Sequence, residues 1–243
     1  MMKKQRVVVL TTSIAGVAAL ISTLIYIRTG TVDPARGRII EFAARFYALK
    51  PEDVAVRESP LSIGDPGAPV RIIAFTDFIC PACFRLYEYE KRLASRFWGK
   101  IRIDYYNFPL DRACNERAQR STYPNSCVAA KAFIAAANKG LFTEILHYHY
   151  EHYRQNIDRM RRGEALISLQ NYFTEQGKAG GLSAFLKFMR SPQVELSLYD
   201  DIELAGALNI RAVPTIFING RRLEGAPDYE LLEYVISKEL KKD

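Results

Sequence analysis

The stretch Phe78-Ile79-Cys80-Pro81-Ala82-Cys83 decides the fold of this chain. Residues 70–75, just before it, are rich in branched and aromatic side chains, which predicts a buried strand. Residues 84–97, just after it, carry apolar side chains near helical spacing, which predicts an amphipathic helix. The two cysteines are therefore expected where a strand turns into a helix.

This placement favours a reactive sulfur at Cys80. If Cys80 is the N-cap, Pro81 occupies the first helical position, where a missing N–H costs nothing. The N–H groups of the first turn and the positive end of the helix dipole then lie near the Cys80 sulfur. Both stabilise the thiolate and lower its pKa. Since Cys83 lies one turn further along the same helix, we assign Cys80 as the attacking sulfur and Cys83 as the resolving sulfur.

Two other uses of a C-x-x-C pair stay open. Zinc sites usually combine two closely spaced cysteine pairs, or one pair with histidines at short spacing. Here Cys114 and Cys127 are widely spaced and the three histidines lie elsewhere, so we predict no metal site. A purely structural disulfide would close a short and labile loop, which suits exchange better than stabilisation.

Charge gives little support for a nucleic-acid-binding protein. The net charge is +7, and hydrophobic residues make up 49% of the chain. Four of the positive charges lie in residues 1–28, which contain no acidic residue, so the remainder carries only +3. We see no basic stripe with interleaved aromatic residues and expect no nucleic-acid partner. Four cysteines fit two disulfides in an oxidising compartment.

The N-terminal residues predict a membrane anchor. Residues 1–6 form a short basic head, and residues 7–27 form an uncharged, mostly apolar run. At about 1.5 Å per residue, this run spans a hydrocarbon core of about 30 Å. Because the basic side stays in the cytoplasm, we expect a single-pass protein of the bacterial inner membrane with its catalytic domain on the periplasmic, extracytoplasmic side. The alternative is a signal peptide that is cleaved after residues 16–18.

Residues 28–60 are predicted to be a linker and an amphipathic helix. Asp33-Pro34 is typical of a helix start, and Lys50-Pro51 marks its end. Residues 54–57 are a candidate short strand. Residues 61–69 predict a loop, because they are rich in glycine, proline and aspartate.

The remaining chain predicts strand units separated by helices. Residues 101–106 alternate as a second strand and complete a βαβ unit. Residues 109–190 predict a helical insertion whose pieces are 127–139 capped by Ser126, 142–154, 163–175 and, after a break at 177–181, 182–190. Ser191-Pro192 opens a further helix. Asn219-Gly220 predicts a hairpin that is followed by a last helix over 227–240.

Taken together, these features resemble the thioredoxin fold in its DsbA-like form. The resemblance covers about residues 60–243, with the predicted domain at 61–243, and rests on the stretch 78–83, on Val213-Pro214-Thr215 and on the sequence 64–70. It implies an α/β thioredoxin fold with a helical insertion, preceded by the single N-terminal transmembrane helix. It also implies a thiol–disulfide oxidoreductase that needs no cofactor.

In such proteins the proline that matches Pro214 is cis and faces the C-x-x-C pair. A cis proline turns the backbone sharply and removes an N–H beside the reactive sulfur. The main chain at Val213 can then pair with an extended substrate. The resemblance therefore implies a catalytic role for Pro214, and a substrate-binding surface formed by Val213, Thr215, Phe78, Pro81 and Ala82.

Two positions depart from the family pattern. Strong DsbA oxidants carry histidine directly before the second cysteine, where this chain has Ala82. Relatives often carry a buried glutamate six residues before the first cysteine, where this chain has Ala74. Asp77 lies three residues closer to Cys80, so the role is not transferred to it. We expect a redox potential between about −270 mV, as in thioredoxin, and about −120 mV, as in DsbA.

A second cysteine pair, Cys114 and Cys127, falls in the insertion. A disulfide between them would contribute about 3 kcal/mol on the loop-entropy model, which favours a structural staple for the polar loop 111–125. The alternative is a second redox pair that relays electrons to or from the first. The stretch 107–110, then Cys114-Asn115 and later Cys127, is similar to a subgroup of DsbA-like proteins. In that subgroup a partner of the vitamin K epoxide reductase type can reoxidise the dithiol.

The expected function is disulfide exchange with cysteines of exported proteins. A membrane partner of the DsbB or vitamin K epoxide reductase type would restore the disulfide. The alternatives are a reductase or isomerase of the same fold and a non-catalytic thioredoxin-fold binding or assembly factor. Copper(I) delivery by the two cysteines is a further alternative, but no methionine or histidine motif lies nearby.

Overall fold

The computed structural model describes residues 34–54 and 59–242. The chain divides into a unit that ends at Phe42 and a unit from Ala43 to Asp243. The helices and strands, in chain order, are α1 (Pro34–Ala48), β1 (Ser62–Gly64), β2 (Val70–Thr76), α2 (Pro81–Arg96), β3 (Ile101–Asn107), α3 (Ser126–Asn138), α4 (Phe142–Glu151), α5 (Tyr153–Arg161), α6 (Ile167–Glu175), α7 (Ala179–Met189), α8 (Pro192–Ala207), β4 (Thr215–Ile218), β5 (Arg221–Glu224) and α9 (Tyr229–Glu239).

The strands form one five-stranded sheet in the order β1-β3-β2-β4-β5. Strands β2 and β3 are parallel and joined by α2, which confirms the predicted βαβ unit. Strand β4 pairs antiparallel with both β2 and β5, and α9 follows, which confirms the ββα unit. Helices α3 to α7 lie in the chain between the βαβ unit and the ββα unit, as the predicted insertion requires.

The central strand β2 carries the site, because its C-terminal end leads directly into the C-x-x-C turn. Its near-continuous apolar sequence is explained by its position between β3 and β4, where both faces of the sheet are covered. One face packs against α8 and its C-terminal loop through the buried residues Ile73, Phe75, Tyr106, Phe108, Ala205, Ile210 and Phe217.

The predicted loop over residues 61–69 contains a strand that the sequence analysis missed. β1 pairs antiparallel with β3, with Ser62 opposite Asp104 and Gly64 opposite Arg102. Gly64 has a φ of +99°, and a Cβ added there would lie 2.2 Å from the Ile101 carbonyl oxygen. A three-residue strand that ends on such a glycine is too short to show a two-residue period.

Several helix limits also differ from the prediction. Helix α3 is capped by Asn125, which has a φ of 75°, and Ser126 is its first residue, so the predicted serine cap is wrong. The predicted helix over 142–154 is two helices that meet at His152. Helix α7 begins at Ala179, inside the predicted break.

Within the described residues, no helix has both the length and the apolar character needed to cross a membrane. The predicted anchor, residues 7–27, lies outside the described residues, as does most of the candidate strand at 54–57.

Candidate active site

The C-x-x-C turn has the local geometry that the sequence predicts. Cys80 is the N-cap of α2 with an extended backbone, and Pro81 is the first helical residue. The Cys80 N–H donates to the Asp77 carbonyl oxygen at 3.0 Å, which closes the turn. The first turn of α2 therefore directs its N–H groups toward the Cys80 side chain.

The two sulfurs have opposite acid strengths. Both cysteines are thiols, and each is at most 3% exposed. The Cys83 thiol hydrogen-bonds to the Cys80 sulfur and, together with the N–H groups of Cys83 and Ala82, lowers the pKa of Cys80 to about 7 against the effect of burial. Burial raises the pKa of Cys83 well above its usual value. Near neutral pH, Cys80 is the sulfur that carries the thiolate.

The peptide between Val213 and Pro214 is cis, as the family resemblance implies. It precedes β4, whose Thr215 pairs with Phe75 on the strand that leads to the cysteines. This pairing brings the Val213 carbonyl oxygen to 3.9 Å from the Cys80 sulfur. The loop before β4 and the N-terminus of α2 thus converge on one sulfur.

The expected substrate-binding residues do not all face the surface. Pro81 is exposed, and Ala82 and Val213 are partly exposed. The Phe78 side chain is 1% exposed and stacks on Phe133 with ring centroids 3.8 Å apart. The Thr215 side chain is also 1% exposed. Both side chains lie in the core, so a contact of these last two residues with a substrate would be made by their main chain.

The insertion supplies side chains that hold the turn and that the sequence analysis missed. The Nε2 atom of His149, on α4, lies 2.8 Å from the Phe78 carbonyl oxygen. Because a carbonyl oxygen only accepts, Nε2 carries the hydrogen and donates it. Burial lowers the pKa of His149 to about 4, so the ring is neutral. The Tyr153 hydroxyl donates to the Ile79 carbonyl oxygen at 2.5 Å. The signal for both was the dense aromatic sequence 147–153, which we did not connect with the turn.

Asp77 is a buried carboxyl group behind the cysteines. Its Oδ1 accepts the Ile79 N–H and its Oδ2 accepts the Leu110 N–H, each at 2.8 Å. The side chain is 2% exposed, and burial raises its pKa to about 6 despite these hydrogen bonds. Its negative charge in turn opposes ionisation of Cys80.

Cys114 and Cys127 form a disulfide with their Cα atoms 5.9 Å apart. Cys127 is buried in the first turn of α3, and Cys114 is partly exposed. The disulfide closes the polar loop that runs from the end of β3 to α3. Among the described residues, no group of three or more histidine, cysteine or acidic side chains is arranged to hold a metal ion.

Fold and site together define a DsbA-like member of the thioredoxin superfamily, a class of thiol–disulfide oxidoreductases. The family model described as Thioredoxin matches residues 57–238, and the chain therefore belongs to this family.

Relatives with curated descriptions fall into two groups. A probable disulfide bond formation protein D of Bacillus cereus is 25% identical over 185 residues, which cover 74% of this chain and 79% of that protein. The Na(+)/H(+) antiporter NhaA 1 of Mycolicibacterium gilvum is 29% identical over 167 residues, which cover 68% of this chain. The match spans only 24% of the antiporter's length.

Solved structures share the fold. The catalytic domain of Proteus mirabilis ScsC is 19% identical with a TM-score of 0.55, over 84% of this chain and 99% of that chain. Oxidised BdbD from Bacillus subtilis is 17% identical with a TM-score of 0.54, over 79% of this chain and 98% of that chain.

Proposed function

We propose that this chain is an extracytoplasmic oxidoreductase that forms disulfide bonds in exported proteins. The observation that carries the proposal is the environment of Cys80. Its thiol lies at the N-terminus of α2, 3.9 Å from the Val213 carbonyl oxygen, with Cys83 one turn away. Its pKa of about 7 provides a thiolate at neutral pH.

The proposed reaction moves two electrons from substrate thiols to the cysteine pair. A substrate thiolate attacks the Cys80 sulfur of the oxidised protein, a mixed disulfide forms, and Cys83 leaves and takes up a proton. A second substrate thiolate then attacks the substrate sulfur and releases Cys80. The substrate gains a disulfide, and Cys80 and Cys83 become thiols. A quinone-linked membrane protein of the DsbB or vitamin K epoxide reductase type would accept the two electrons and restore the disulfide.

Substrate binding would use main chain rather than deep pockets. We assign the edge of the Val213-Pro214 peptide to pairing with an extended substrate segment. Pro81 and Ala82 would border this segment, because both are accessible. This arrangement fits many exported proteins, since backbone pairing makes little use of substrate side chains.

The location is part of the proposal. Residues 1–6 would stay in the cytoplasm, residues 7–27 would anchor the chain, and residues 28–60 would connect the anchor to a catalytic domain over 61–243. The disulfide between Cys114 and Cys127 supports an oxidising compartment, because such bonds are rare in reducing ones.

A reductase or isomerase of the same fold is the second candidate. Its support is the pKa of Cys80, which at about 7 matches the value of about 7 in thioredoxin rather than about 3.5 in DsbA. A less stabilised thiolate makes the reduced form less favoured and the disulfide a weaker oxidant.

The test uses the full chain in detergent. Equilibration in graded glutathione buffers, followed by maleimide trapping and peptide mass spectrometry, gives the potential of the Cys80–Cys83 pair. Refolding of a reduced disulfide protein and reduction of insulin give the direction of exchange. If the chain is an oxidase, it should accelerate refolding of the reduced protein. If the Cys80–Cys83 pair has a reduction potential near that of thioredoxin and the chain reduces insulin, the second candidate is supported.

Two serine variants separate the roles of the cysteines. Cys80→Ser is expected to abolish both activities. Cys83→Ser is expected to accumulate a mixed disulfide between Cys80 and the substrate. If the unsubstituted chain is inert in both assays, the proposal fails and a non-catalytic binding factor takes its place.

A further inference from the structure

Trp98 is the single tryptophan of the chain and is 87% exposed. It occupies the turn between α2 and β3. The Lys100 N–H donates to the Phe97 carbonyl oxygen at 2.8 Å, which closes this turn, and Gly99 supplies a positive φ of 69°. The backbone of a closed turn therefore holds the indole ring outward, although burying a ring of this size would remove a large apolar area from water.

The turn lies at the end of the sheet that is opposite to the reactive cysteines. Val70, the first residue of β2, pairs with Ile101 directly after the turn, and the Val70 N–H donates to the Lys100 carbonyl oxygen at 3.2 Å. Cys80 follows the other end of the same strand. Since β2 has 7 residues at about 3.3 Å each, roughly 23 Å separate the two ends of the strand.

A second exposed apolar residue lies at the same end of the sheet. Leu49 is 41% exposed and directly follows α1. Shortly after it, the Glu52 N–H donates to the Gly220 carbonyl oxygen at 2.9 Å, in the turn between β4 and β5. This turn adjoins the start of β2, because β4 pairs antiparallel with β2. Leu49 and Trp98 therefore belong to two connections at one end of the sheet.

The charges at this end favour a lipid surface over an acidic protein surface. Each of the two apolar residues has an exposed lysine close to it in the chain, Lys50 and Lys100. Asp53 and Asp65 are exposed at the same end, so the opposite charges nearly cancel. Tryptophan and lysine together are typical of the boundary between lipid and water, where the indole lies among the head groups and the lysine extends its ammonium group into water.

We propose that this end of the sheet docks on the lipid bilayer through the side chains of Leu49 and Trp98, with Lys50 and Lys100 at the head groups. The inference goes beyond disulfide exchange and rests on the anchor at residues 7–27, which is part of the proposed function. Two apolar side chains bind lipid weakly by themselves. A tethered group, however, acts at an effective concentration of about millimolar, so weak contacts suffice when the anchor lies in the same bilayer.

Docking gives the reactive cysteine pair a direction. Cys80 then lies at the end of the sheet that faces away from the bilayer, where exported proteins are found. Reoxidation by a membrane partner takes place from the detached state, in which the linker lets the domain turn toward the bilayer.

The test uses the full chain in lipid nanodiscs and the fluorescence of Trp98, which needs no added probe. The nanodiscs contain phospholipid brominated near the head group, phospholipid brominated near the bilayer centre, or unbrominated phospholipid, because bromine quenches tryptophan on contact. If the indole lies at the interface, bromine near the head group should quench most of the fluorescence, and bromine near the bilayer centre should quench much less. Equal fluorescence in all three preparations would overturn the proposal.

Two leucine variants test whether this end of the sheet makes the contact. Leu49→Glu places a charge beside Trp98 on the docking end and should reduce the quenching by bromine near the head group. Leu196→Glu is the matched control, because Leu196 is 60% exposed but lies on α8 beside Cys114. It should leave the quenching unchanged, and equal quenching in the two variants would overturn the proposed surface.

The result is separate from that of the proposed exchange activity. Refolding and insulin reduction report on the cysteine pair and do not depend on Trp98. A chain that enters the nanodisc and exchanges disulfides but shows no quenching by bromine refutes the docking alone. A chain that does not enter the nanodisc refutes the anchor and the docking together, because the tether is then missing.

Discussion

The backbone N–H of Asp77 donates to the Cys83 sulfur at 3.5 Å, so the residue that carries the buried carboxyl group directly contacts the buried thiol. The same residue reaches forward to Ile79 and across to Leu110 through its two carboxylate oxygens. Asp77 therefore links the C-x-x-C turn to the first residues of the insertion. Its carboxylate charge acts on Cys80, and its N–H acts on Cys83.

Asp77→Asn should lower the pKa of Cys80 below its value of about 7, because the carboxylate opposes ionisation of that thiol. Removing the Asp77 charge should lower the pKa of Cys80 by roughly half a unit and raise the reduction potential of the Cys80–Cys83 pair by about 15 mV. The pH dependence of Cys80 alkylation and the glutathione equilibrium measure the two effects. Asp158→Asn, at an exposed position, is the control. An unchanged or higher pKa in Asp77→Asn would contradict this account.

Glu90 should make the protein less stable as the pH rises. It is 2% exposed, its Oε2 accepts the Tyr105 hydroxyl at 2.8 Å, and its Oε1 has no hydrogen-bond partner among the described residues. Burial raises its pKa from 4.5 to about 7. The folded chain therefore holds a proton that the unfolded chain has lost between these values, and stability falls across that window.

Glu90→Gln removes this titration while keeping an acceptor for Tyr105. At pH 8 the variant should be more stable by roughly 2–3 kcal/mol, and at pH 4 the two proteins should be nearly equal. Urea denaturation at both pH values measures the difference. Glu88→Gln, which lies on the same helix at an exposed site, should show no such dependence. If the two proteins differed in unfolding free energy by the same amount at pH 4 and pH 8, titration of Glu90 would be excluded as the cause.

His149 should make the protein less stable as the pH falls, whereas Glu90 makes it less stable as the pH rises. Burial lowers its pKa from 6.5 to about 4. Between these pH values the histidine is protonated in the unfolded chain and neutral in the folded chain. The stability contribution is complete above pH 6.5 and is lost as the pH falls toward 4. His149→Gln keeps a donor for the Phe78 carbonyl oxygen but cannot be protonated.

The expected result is a difference in unfolding free energy between the native chain and His149→Gln that changes by about 3 kcal/mol between pH 7 and pH 4. Using the difference cancels the titration of all other groups. His152→Gln, which removes a histidine outside the turn, serves as the comparison. Parallel stability curves for the native chain and His149→Gln would contradict the prediction.

The parts of the site that could be predicted from the sequence are those set by near neighbours. Cys80 at the N-cap and Pro81 in the first turn follow from a strand, a proline and a helix that adjoin in the chain. The cis peptide before Pro214 was predicted from the family resemblance, because three residues in a row give no geometry of their own. The hairpin at Asn219-Gly220 followed from turn chemistry.

The parts that could not be predicted depend on packing between distant segments. His149 and Tyr153 contact the turn across 71 and 74 residues of sequence, and no periodicity states which helix face meets which carbonyl group. Strand β1 exists because β3 offers it a partner, since its own three residues carry no pattern. Phe78 was named as a substrate-binding residue from the family resemblance, and the stacking of its ring on Phe133 could not be predicted from the sequence.

Replacing both Cys114 and Cys127 with alanine should lower stability by about 3 kcal/mol, because the disulfide closes a loop over 13 positions. Urea denaturation of the native chain and of the double variant measures this effect.

The rate of disulfide exchange decides between the two roles of the second cysteine pair. If the disulfide is a structural staple, the double alanine variant should exchange disulfides with substrates at the rate of the native chain, in a buffer where both are folded, because Cys80 and Cys83 are untouched. If the variant is folded but exchanges more slowly, the staple role is wrong and the second cysteine pair takes part in electron transfer.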